Sequence, residues 1–436
     1  MIEHIIPLSM VVCLLLGIFS GYPVAFVLGG IGILFTFIGG LPFVFLKIGV
    51  SRIYAGVIEN WLLLAVPLFV FMGAMLDKSG LAQNLLYSLE RALGRKRGGL
   101  AISVALLGII MAASTGIVGA SVVMLSTLAL PIMLREKYKP ELAVGTIAAS
   151  GTLGILIPPS IAYIIIGLVL GISASTLFLA ALIPGLAILF AILITNLIMN
   201  RIHDYEGGGM MTFSEWMVGV GKALKSGWYA FIVPGIIFYG IFSGRLTPTE
   251  AGATAVVVTI LMGFILRTLS FADFPAMLVS SAKVNGVILP IIAFSVPLAE
   301  ALAIMGVPQG FVTSITGLTN EPWILILLMI GILIAAGCVM ETTPNIVILA
   351  PILKPLADNI GMNEIQFCIM MITALGVGFI TPPLGLNLFV VAGITGESIL
   401  KIAARAVPFV LCMFIVVLFI AYVPAISTTL LPDIYK

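Results

Sequence analysis

The sequence predicts an all-α polytopic membrane protein with two inverted repeats, about 10 transmembrane helices and two re-entrant hairpins. Composition, a duplicated motif and paired helix interruptions support this fold class. Apolar residues make up 61% of the 436-residue chain and charged residues 9%, against about 25% charged residues in soluble domains. Many apolar runs approach the ~20 residues that cross a bilayer as a helix. The ~10-residue alternating segments of a membrane barrel are not found.

Two short motifs occur twice in the same order. The pentapeptide GIFSG stands at residues 17–21 and again at 240–244, 223 positions apart. A Pro-Pro pair stands at residues 158–159 and again at 382–383, 224 positions apart. Further prolines and glycines coincide at that shift: Pro131 with Pro355, Gly154 with Gly378 and Pro184 with Pro408. Helix-breaking residues at matching places in two halves of a membrane protein point to a transport site.

The duplication divides the chain into three parts. Residues 1–200 form the first inverted repeat, residues 201–227 a polar cytoplasmic linker, and residues 228–436 the second inverted repeat. The apolar runs predict spans near residues 5–20, 22–44, 60–76, 142–170, 176–200, 228–243, 247–267, 284–305, 366–395 and 405–425. Segments near residues 45–57 and 268–283 look amphipathic and are predicted to lie along the membrane interface.

Two long apolar stretches are predicted to be re-entrant hairpins, at about residues 98–134 and 322–353. The first carries no charged residue, and the second carries only Glu341. A straight helix as long as the first would measure about 55 Å, far beyond the ~30 Å apolar core of a bilayer. Small and hydroxyl residues fill its middle, at positions 112–119. We therefore expect two half-length helices that meet at a non-helical tip in each stretch.

The charges beside the two hairpins predict opposite orientations. Basic residues flank the first hairpin at both ends: Arg91, Arg95, Lys96, Arg97, Arg135, Lys137 and Lys139. Beside the second hairpin only Lys354 is basic, whereas Glu321, Asp358 and Glu364 are acidic. The positive-inside rule then places both ends of the first hairpin in the cytoplasm and both ends of the second outside. Counting spans from there puts both termini on the external side.

Several classes of protein are disfavoured. The four cysteines are scattered without a CxxC pair, and the chain has two histidines, so neither a disulfide framework nor a histidine metal centre is indicated. Neither HExxH nor GxSxG occurs, which disfavours an intramembrane enzyme. Duplicated helix breaks favour alternating access over an ion channel. We expect no enzymatic activity and no cofactor.

The four interrupted elements are predicted to converge near the membrane midplane. A non-helical tip is tolerated in a bilayer only against protein or water. Consecutive prolines free backbone carbonyls, which suit a hard cation such as Na⁺, and the half-helix N-termini that follow suit an anion. Predicted substrate-binding residues at these elements are Ser121, Ser160, Thr343, Asn345, Thr381 and Asn387.

Thr343 followed by Pro344 predicts an N-cap and a proline at the first helical position.

Three other points about this site stay open in the sequence. Glu341 is either functional, as intramembrane carboxylates usually are, or reaches water at the tip. Ser160 either binds a ligand or bonds its own helix backbone. Because no basic residue lies in these stretches, a carboxylate would need helix dipoles, hydroxyls, amides or a distant Arg or Lys.

Residues 247–253 (TPTEAGA), residues 154–160 (GILIPPS) and the two hairpins together resemble the large membrane subunit of TRAP (tripartite ATP-independent periplasmic) transporters. The resemblance implies an elevator-type transporter in the bacterial inner membrane that imports a small organic acid with Na⁺. It also implies two partners, a small four-helix membrane subunit and a periplasmic substrate-binding protein. By the same resemblance, the hairpins with residues 142–200 and 366–425 would move against residues 1–76 and 228–305.

The resemblance also implies two Na⁺ sites, each pairing a hairpin tip with the adjacent helix break. The residues implied for the first site are Ser114, Thr115, Gly119, Gly151, Gly154 and Pro158. Those implied for the second are Thr342, Asn345, Gly376, Gly378 and Thr381. The runner-up function is a self-sufficient Na⁺- or H⁺-coupled anion carrier that needs no binding protein.

The predicted topology can be tested by labelling single cysteines placed at Lys96 and Asp358 in a cysteine-free background. A membrane-impermeant maleimide added to intact cells should label position 358 and should label position 96 only after the membrane is opened. The positive-inside rule gives this expectation, and the reverse pattern would invert the topology.

Overall fold

The computed structural model describes residues 2–79, 99–115, 118–202, 232–382 and 384–432, with a few single positions between 212 and 228. Within these ranges every regular element is helical. The predicted linker, residues 201–227, lies almost entirely outside the described residues.

Ten α-helices are described in the first half of the chain. They are α1 (Ile2–Phe19), α2 (Val24–Ile38), α3 (Val44–Ile53), α4 (Ala65–Lys78), α5 (Gly99–Thr115), α6 (Val118–Arg135), α7 (Pro140–Leu156), α8 (Ile161–Leu170), α9 (Ala174–Ala180) and α10 (Leu182–Ile202). A π-helical turn at Tyr54–Ile58 and a 3₁₀ turn at Trp61–Leu64 separate α3 from α4.

Ten more α-helices are described in the second half. They are α11 (Ile232–Phe242), α12 (Pro248–Ile265), α13 (Phe274–Ile304), α14 (Val307–Thr316), α15 (Pro322–Val339), α16 (Thr342–Asn359), α17 (Glu364–Gly378), α18 (Leu386–Thr395), α19 (Ile399–Tyr422) and α20 (Ala425–Thr428). A capping box between Thr247 and Glu250 starts α12, as the Thr-Pro-Thr-Glu spacing indicates.

The repeated pentapeptide has the same structure at both places. Each copy ends a helix: Phe19 is the last residue of α1 and Phe242 the last of α11. The serine after it donates a hydrogen bond back to the carbonyl of the first glycine of the copy. The closing glycines, Gly21 and Gly244, have φ of +81° and +70°, a region that glycine enters without steric cost. The pentapeptide is therefore a helix-ending turn in both halves.

Six helical segments of the described chain are long and apolar enough to cross a membrane, or seven if the bent pair α7–α8 counts as one span. Their faces that point away from the protein carry many exposed large apolar side chains, such as Phe190, Trp323 and Phe419. The chain is thus a multi-pass membrane protein, and the figure of about ten spans stays a prediction.

Each predicted hairpin is a pair of helices that pack against each other, α5 with α6 and α15 with α16. The expectation of half-length arms is confirmed. The arms have 17 or 18 residues, about 26 Å each, so each is about half as long as the apolar stretch. In the second hairpin the helix does stop, since Met340 and Glu341 have extended backbone. Residues 116–117, between α5 and α6, lie outside the described residues.

The predicted interfacial segment at residues 268–283 is not a separate element. Helix α13 runs from Phe274 to Ile304 through Pro290 and Pro297, so most of this segment is the first part of one long helix. The corresponding part of the first half is broken because the Asn60 side chain accepts a hydrogen bond from the Leu62 amide and starts a new turn. No such cap interrupts α13.

Two apolar clusters organise the packing. The larger one joins both hairpins, both broken helices, α10 and α19, and it also includes buried residues of α4, α11, α12 and α13. The smaller one joins α1, α2, α13 and α14, and it includes Ile348 and Ile352 of α16. Within the larger cluster, α16 packs against α8, and α18 packs against α6. The second arm of each hairpin therefore lies against the half-helix that follows the break in the other half of the chain.

We predict that Gly337→Ala destabilises the protein. A Cβ at Gly337 would lie 2.6 Å from the Leu375 carbonyl oxygen, so α15 and α17 would have to separate, which typically costs about 1–3 kcal/mol. Gly331→Ala on the same helix is the matched control, because a Cβ there meets no atom within 4 Å. In detergent, the midpoint of thermal unfolding should be lower than that of wild type for Gly337→Ala but not for Gly331→Ala. Equal midpoints for both variants would contradict this close helix contact.

Candidate functional site

The tip of the second hairpin is held together by Asn345. Its side-chain amide donates hydrogen bonds to the carbonyls of Met340, at 2.9 Å, and Ala336, at 3.2 Å. Asn345 is fully buried, and its Oδ1 has no hydrogen-bond partner among the described residues. An amide oxygen buried without a partner carries a free-energy penalty of about 1–3 kcal/mol. This oxygen is therefore available to a ligand.

The helix after this tip begins earlier than the sequence predicts. Glu341 is the N-cap and Thr342 the first helical residue, so the prediction of Thr343 as N-cap is wrong. Pro344 consequently occupies the third helical position. A proline is tolerated there because the first turn of a helix has no intrahelical partner for its N–H groups. Thr342 and Thr343 are both buried at the tip.

The second helix break extends from Phe379 to Gly385, between α17 and α18. Pro383 lies outside the described residues. The Thr381 hydroxyl donates to the Val377 carbonyl at 2.7 Å. Just after the break, the fully buried Asn387 donates from its amide to the Ala148 carbonyl on α7 at 2.8 Å. Its Oδ1 has no partner in the part of the chain that the structure describes. The break thus presents a second unpaired amide oxygen.

The second tip and the second break are joined directly. The amide of Gly385 donates to the Cys338 carbonyl at 3.0 Å, and the Cys338 thiol contacts the Thr381 carbonyl oxygen at 3.0 Å. A Cβ at Gly378 would lie 2.8 Å from the Gly337 Cα. The predicted pairing of tip and break is therefore present in this half of the structure.

The first helix break separates α7 from α8 with a bend of 43°. The Pro158–Pro159 bond, which is cis, lies in this break. The Ser160 hydroxyl donates to the Ile155 carbonyl at 2.9 Å, so it bonds the backbone of its own broken helix. Gly151, Gly154, Pro158 and Ser160 are all buried.

The first hairpin tip is described only in part. The side chains of Ser114 and Thr115 lie outside the described part of the structure. Gly119 faces open space, because a Cβ there would meet no atom within 4 Å. Ser121 is fully buried. A Cβ at Gly151 would lie 2.2 Å from Val122, so α6 and α7 approach each other closely beside the tip.

The two breaks meet at the centre of the larger cluster. A Cβ at Gly376 would lie 3.5 Å from Leu156, at the end of α7, and the bond from Asn387 to Ala148 also joins the two halves. The described residues at this centre are uncharged except for Glu341, which is not in a described ion pair. Cys338, whose thiol contacts the second break, was missed by sequence reasoning. The signal that could have found it is its position, 224 residues after Ser114.

A separate cavity of about 420 Å³ lies beside the start of α7. It is lined by Glu141, Met199, Lys401, Ala404, Arg405 and Pro408. Arg405 forms ion pairs with Glu141, at 3.3 Å, and with Glu397, so its charge is already matched. Glu141 lies at the opposite end of α7 from the break, roughly 20 Å away. This arginine is therefore not part of the candidate site.

Comparison with known proteins identifies the family. The model of the tripartite ATP-independent periplasmic transporter DctM component matches residues 11–426. The chain belongs to the family of large TRAP transporter permease subunits. The C4-dicarboxylate TRAP transporter large permease protein DctM of Pseudomonas aeruginosa is 33% identical over 373 residues, which cover 85% of this chain and 86% of that protein.

Other relatives of this TRAP permease carry different substrate names. The 2,3-diketo-L-gulonate TRAP transporter large permease protein YiaN of Escherichia coli is 30% identical over 94% of this chain and 96% of its own length. The isethionate TRAP transporter permease protein DctMQ of Oleidesulfovibrio alaskensis is 31% identical over 93% of this chain but 63% of its own length. The family is one of transporter permeases, not of enzymes.

The fold also matches a solved transporter structure. The Alcanivorax borkumensis YdaH transporter superposes with a TM-score of 0.64 over 90% of this chain and 91% of that chain, at 15% sequence identity. At this identity the match establishes the fold alone. The resemblance of the sequence motifs to the TRAP large subunit is therefore confirmed by the family model, and the helical membrane fold by the structure.

We predict that Asn345→Ala weakens ion binding more than it weakens the fold. It removes a buried oxygen that has no partner, together with two hydrogen bonds across the tip. The matched control is Asn285→Ala on α13, which also has an unpartnered Oδ1 and one amide bond to its own helix. The measurement is the rise in unfolding midpoint with Na⁺ concentration, which reports binding to the native state.

Wild type and Asn285→Ala should show the same Na⁺-dependent rise, and Asn345→Ala a smaller one. If all three proteins respond equally to Na⁺, Asn345 does not belong to the site.

Proposed function

We propose that this TRAP permease imports a small carboxylate-type anion by Na⁺-coupled alternating access. In this proposal a periplasmic binding protein delivers the substrate, and a small four-helix subunit accompanies the permease in the bacterial inner membrane. Both termini are periplasmic, as the charges beside the hairpins indicate. Membership of the TRAP family supports the transporter class.

The observation that supports the proposal most is a pair of buried, unpaired amide oxygens at the second hairpin tip and just after the second helix break. Asn345 and Asn387 are fully buried, and each keeps one amide oxygen without a partner. Breaks in α7–α8 and α17–α18 also leave backbone carbonyls without helical partners. Na⁺ is a hard cation that binds such oxygens, and unwound backbone in transporters coordinates it in this way.

Negative charge on the substrate would be held at the same centre by helix N-termini. Helices α8, α16 and α18 all begin at the breaks or the second tip, and helix N-termini carry partial positive charge. A bound Na⁺ adds a full positive charge close by. This explains how a carboxylate is bound where no Arg or Lys lies near, and why substrate binding would require Na⁺.

The substrates in the names of relatives are all organic anions, two of them carboxylates and one, isethionate, a sulfonate. C4-dicarboxylate, 2,3-diketo-L-gulonate and isethionate are the substrates in the names of the similar permeases. Each is a small organic anion. We infer the same class for this chain, with the individual substrate set largely by the binding protein.

The proposed movement is of the elevator type. Both hairpins and both broken helices, which belong to the larger apolar cluster, would form the mobile body. The smaller cluster, from α1, α2, α13 and α14, would be the static one. Ile348 and Ile352 of α16 contact this smaller cluster through apolar side chains, and such a contact has no directional bonds that would oppose sliding.

Replacing Na⁺ by choline should abolish substrate accumulation in proteoliposomes that contain the permease, the small subunit and the binding protein. Choline is too large for a site built from amide and backbone oxygens. The measurement is uptake of radiolabelled candidate organic acids down an imposed Na⁺ gradient, with K⁺ as a second control cation. Accumulation that continues unchanged in choline would refute Na⁺ coupling.

The same preparation tests the partners. Omitting the binding protein or the small subunit should stop uptake. Transport by the purified permease alone would instead support the self-sufficient carrier.

A further inference from the structure

Cys338 lies between the second hairpin tip and the second helix break. It is the penultimate residue of α15 and is 5% exposed. Its neighbour Gly337 packs so closely against α17 that a Cβ would lie 2.6 Å from the Leu375 carbonyl oxygen. It belongs to no CxxC pair, and the one sequence signal for it is its position, 224 residues after Ser114.

Three contacts tie Cys338 to the break. Its thiol donates to the Thr381 carbonyl oxygen at 3.0 Å. The same sulfur accepts from the Leu384 amide at 3.4 Å. Its backbone carbonyl accepts from the Gly385 amide at 3.0 Å. The amides of Phe379, Ile380 and Thr381 bond back to carbonyls of α17, so the contacts with Cys338 position the later part of the break, from Thr381 to Gly385.

The thiol itself is a poor ligand for Na⁺. Hard cations take oxygen ligands, whereas thiol sulfur suits soft metals. The position 224 residues earlier in the first half of the chain is Ser114, whose hydroxyl contains the oxygen that Cys338 lacks. The two halves of the chain therefore differ in chemistry at equivalent positions.

An oxygen for a ligand is nevertheless present beside Cys338. Asn345 bridges the same tip through its amide, and its fully buried Oδ1 has no partner. Thr381, whose carbonyl accepts from the thiol, retains a second lone pair on that oxygen. The thiol thus bonds one candidate oxygen ligand, the Thr381 carbonyl, and Asn345 at the same tip supplies a second one.

We propose that Cys338 is a positioning residue whose hydrogen bonds hold the second hairpin against the second helix break, a connection called the latch below. These bonds orient the Thr381 carbonyl so that its oxygen binds the coupling ion. The sulfur of Cys338 does not bind the ion itself. This rests on the proposed Na⁺ coupling. It has two consequences. The two ion sites are unequal, and the second hairpin moves with α17 and α18 as one body, so this hairpin is not the gate.

The first test compares Cys338→Ala and Cys338→Ser with a control variant, Cys368→Ala. The control removes a buried thiol of α17 that forms no described hydrogen bond with the tip or the break. The readouts are the Na⁺ concentration for half-maximal uptake and the unfolding midpoint. Cys338→Ala should raise the Na⁺ concentration for half-maximal uptake about tenfold. Loss of a group that orients an ion ligand typically weakens ion affinity by about 10- to 100-fold, and the expected change is at the lower end of that range. Cys338→Ser, which keeps a donor, and Cys368→Ala should stay within about twofold of wild type.

A purely structural role would lower the unfolding midpoint and the maximal rate of Cys338→Ala and leave its Na⁺ dependence unchanged. That outcome overturns the proposal. If uptake by the wild type is itself independent of Na⁺, the proposed function fails, and the latch is then judged by the second test.

The second test needs no Na⁺ coupling. In a variant whose other three cysteines are alanine, N-ethylmaleimide should label Cys338 only after denaturation, with or without Na⁺ and substrate. A variant that keeps only Cys13, a partly exposed cysteine, is the labelled control. Labelling of Cys338 in the folded protein at the rate of Cys13 would show that the tip and the break separate, and would overturn the latch.

Discussion

The structure depends on one constraint, which is that backbone polar groups inside a bilayer must find partners within the protein. Two breaks and one described tip leave such groups without helical partners, and each is buried among neighbouring helices. Asn345 bonds the end of α15, Asn387 bonds α7, and Cys338 bonds the break between α17 and α18. The packing of α16 on α8 and of α18 on α6 surrounds these broken elements. Among the described residues, the amide oxygens of Asn345 and Asn387 stay buried at these elements without a hydrogen-bond partner.

Much of this arrangement could be predicted, because prolines and glycines act on the backbone locally. The Pro-Pro pair at residues 158–159 predicts the break between α7 and α8, and the Thr-Pro-Thr-Glu spacing predicts the capping box at Thr247. The repeated pentapeptide predicts matching turns, since both closing glycines have positive φ. The TRAP resemblance required several motifs together, and the family model bears it out.

Other features could not be predicted, because they depend on contacts between distant parts of the chain. The exact start of α16 at Thr342 follows from how the tip folds back on α15 through Asn345. Helix α13 continues through residues 274–283 because no cap interrupts it. Cys338 is next to the break only because α15 and α17 pack backbone to backbone at Gly337 and Gly378. Which oxygens lack partners is likewise a property of the packed structure.

The central claim is that the unpaired oxygens at the breaks and tips hold the coupling ion. Hydrogen exchange of the purified permease in detergent, compared in NaCl and in KCl at equal ionic strength, tests it most directly. The account predicts that Na⁺ slows exchange in peptides that cover residues 337–345 and 376–387, and leaves α1, α2 and α13 unchanged. Equal exchange in both salts, or Na⁺ protection confined to other helices, would contradict it.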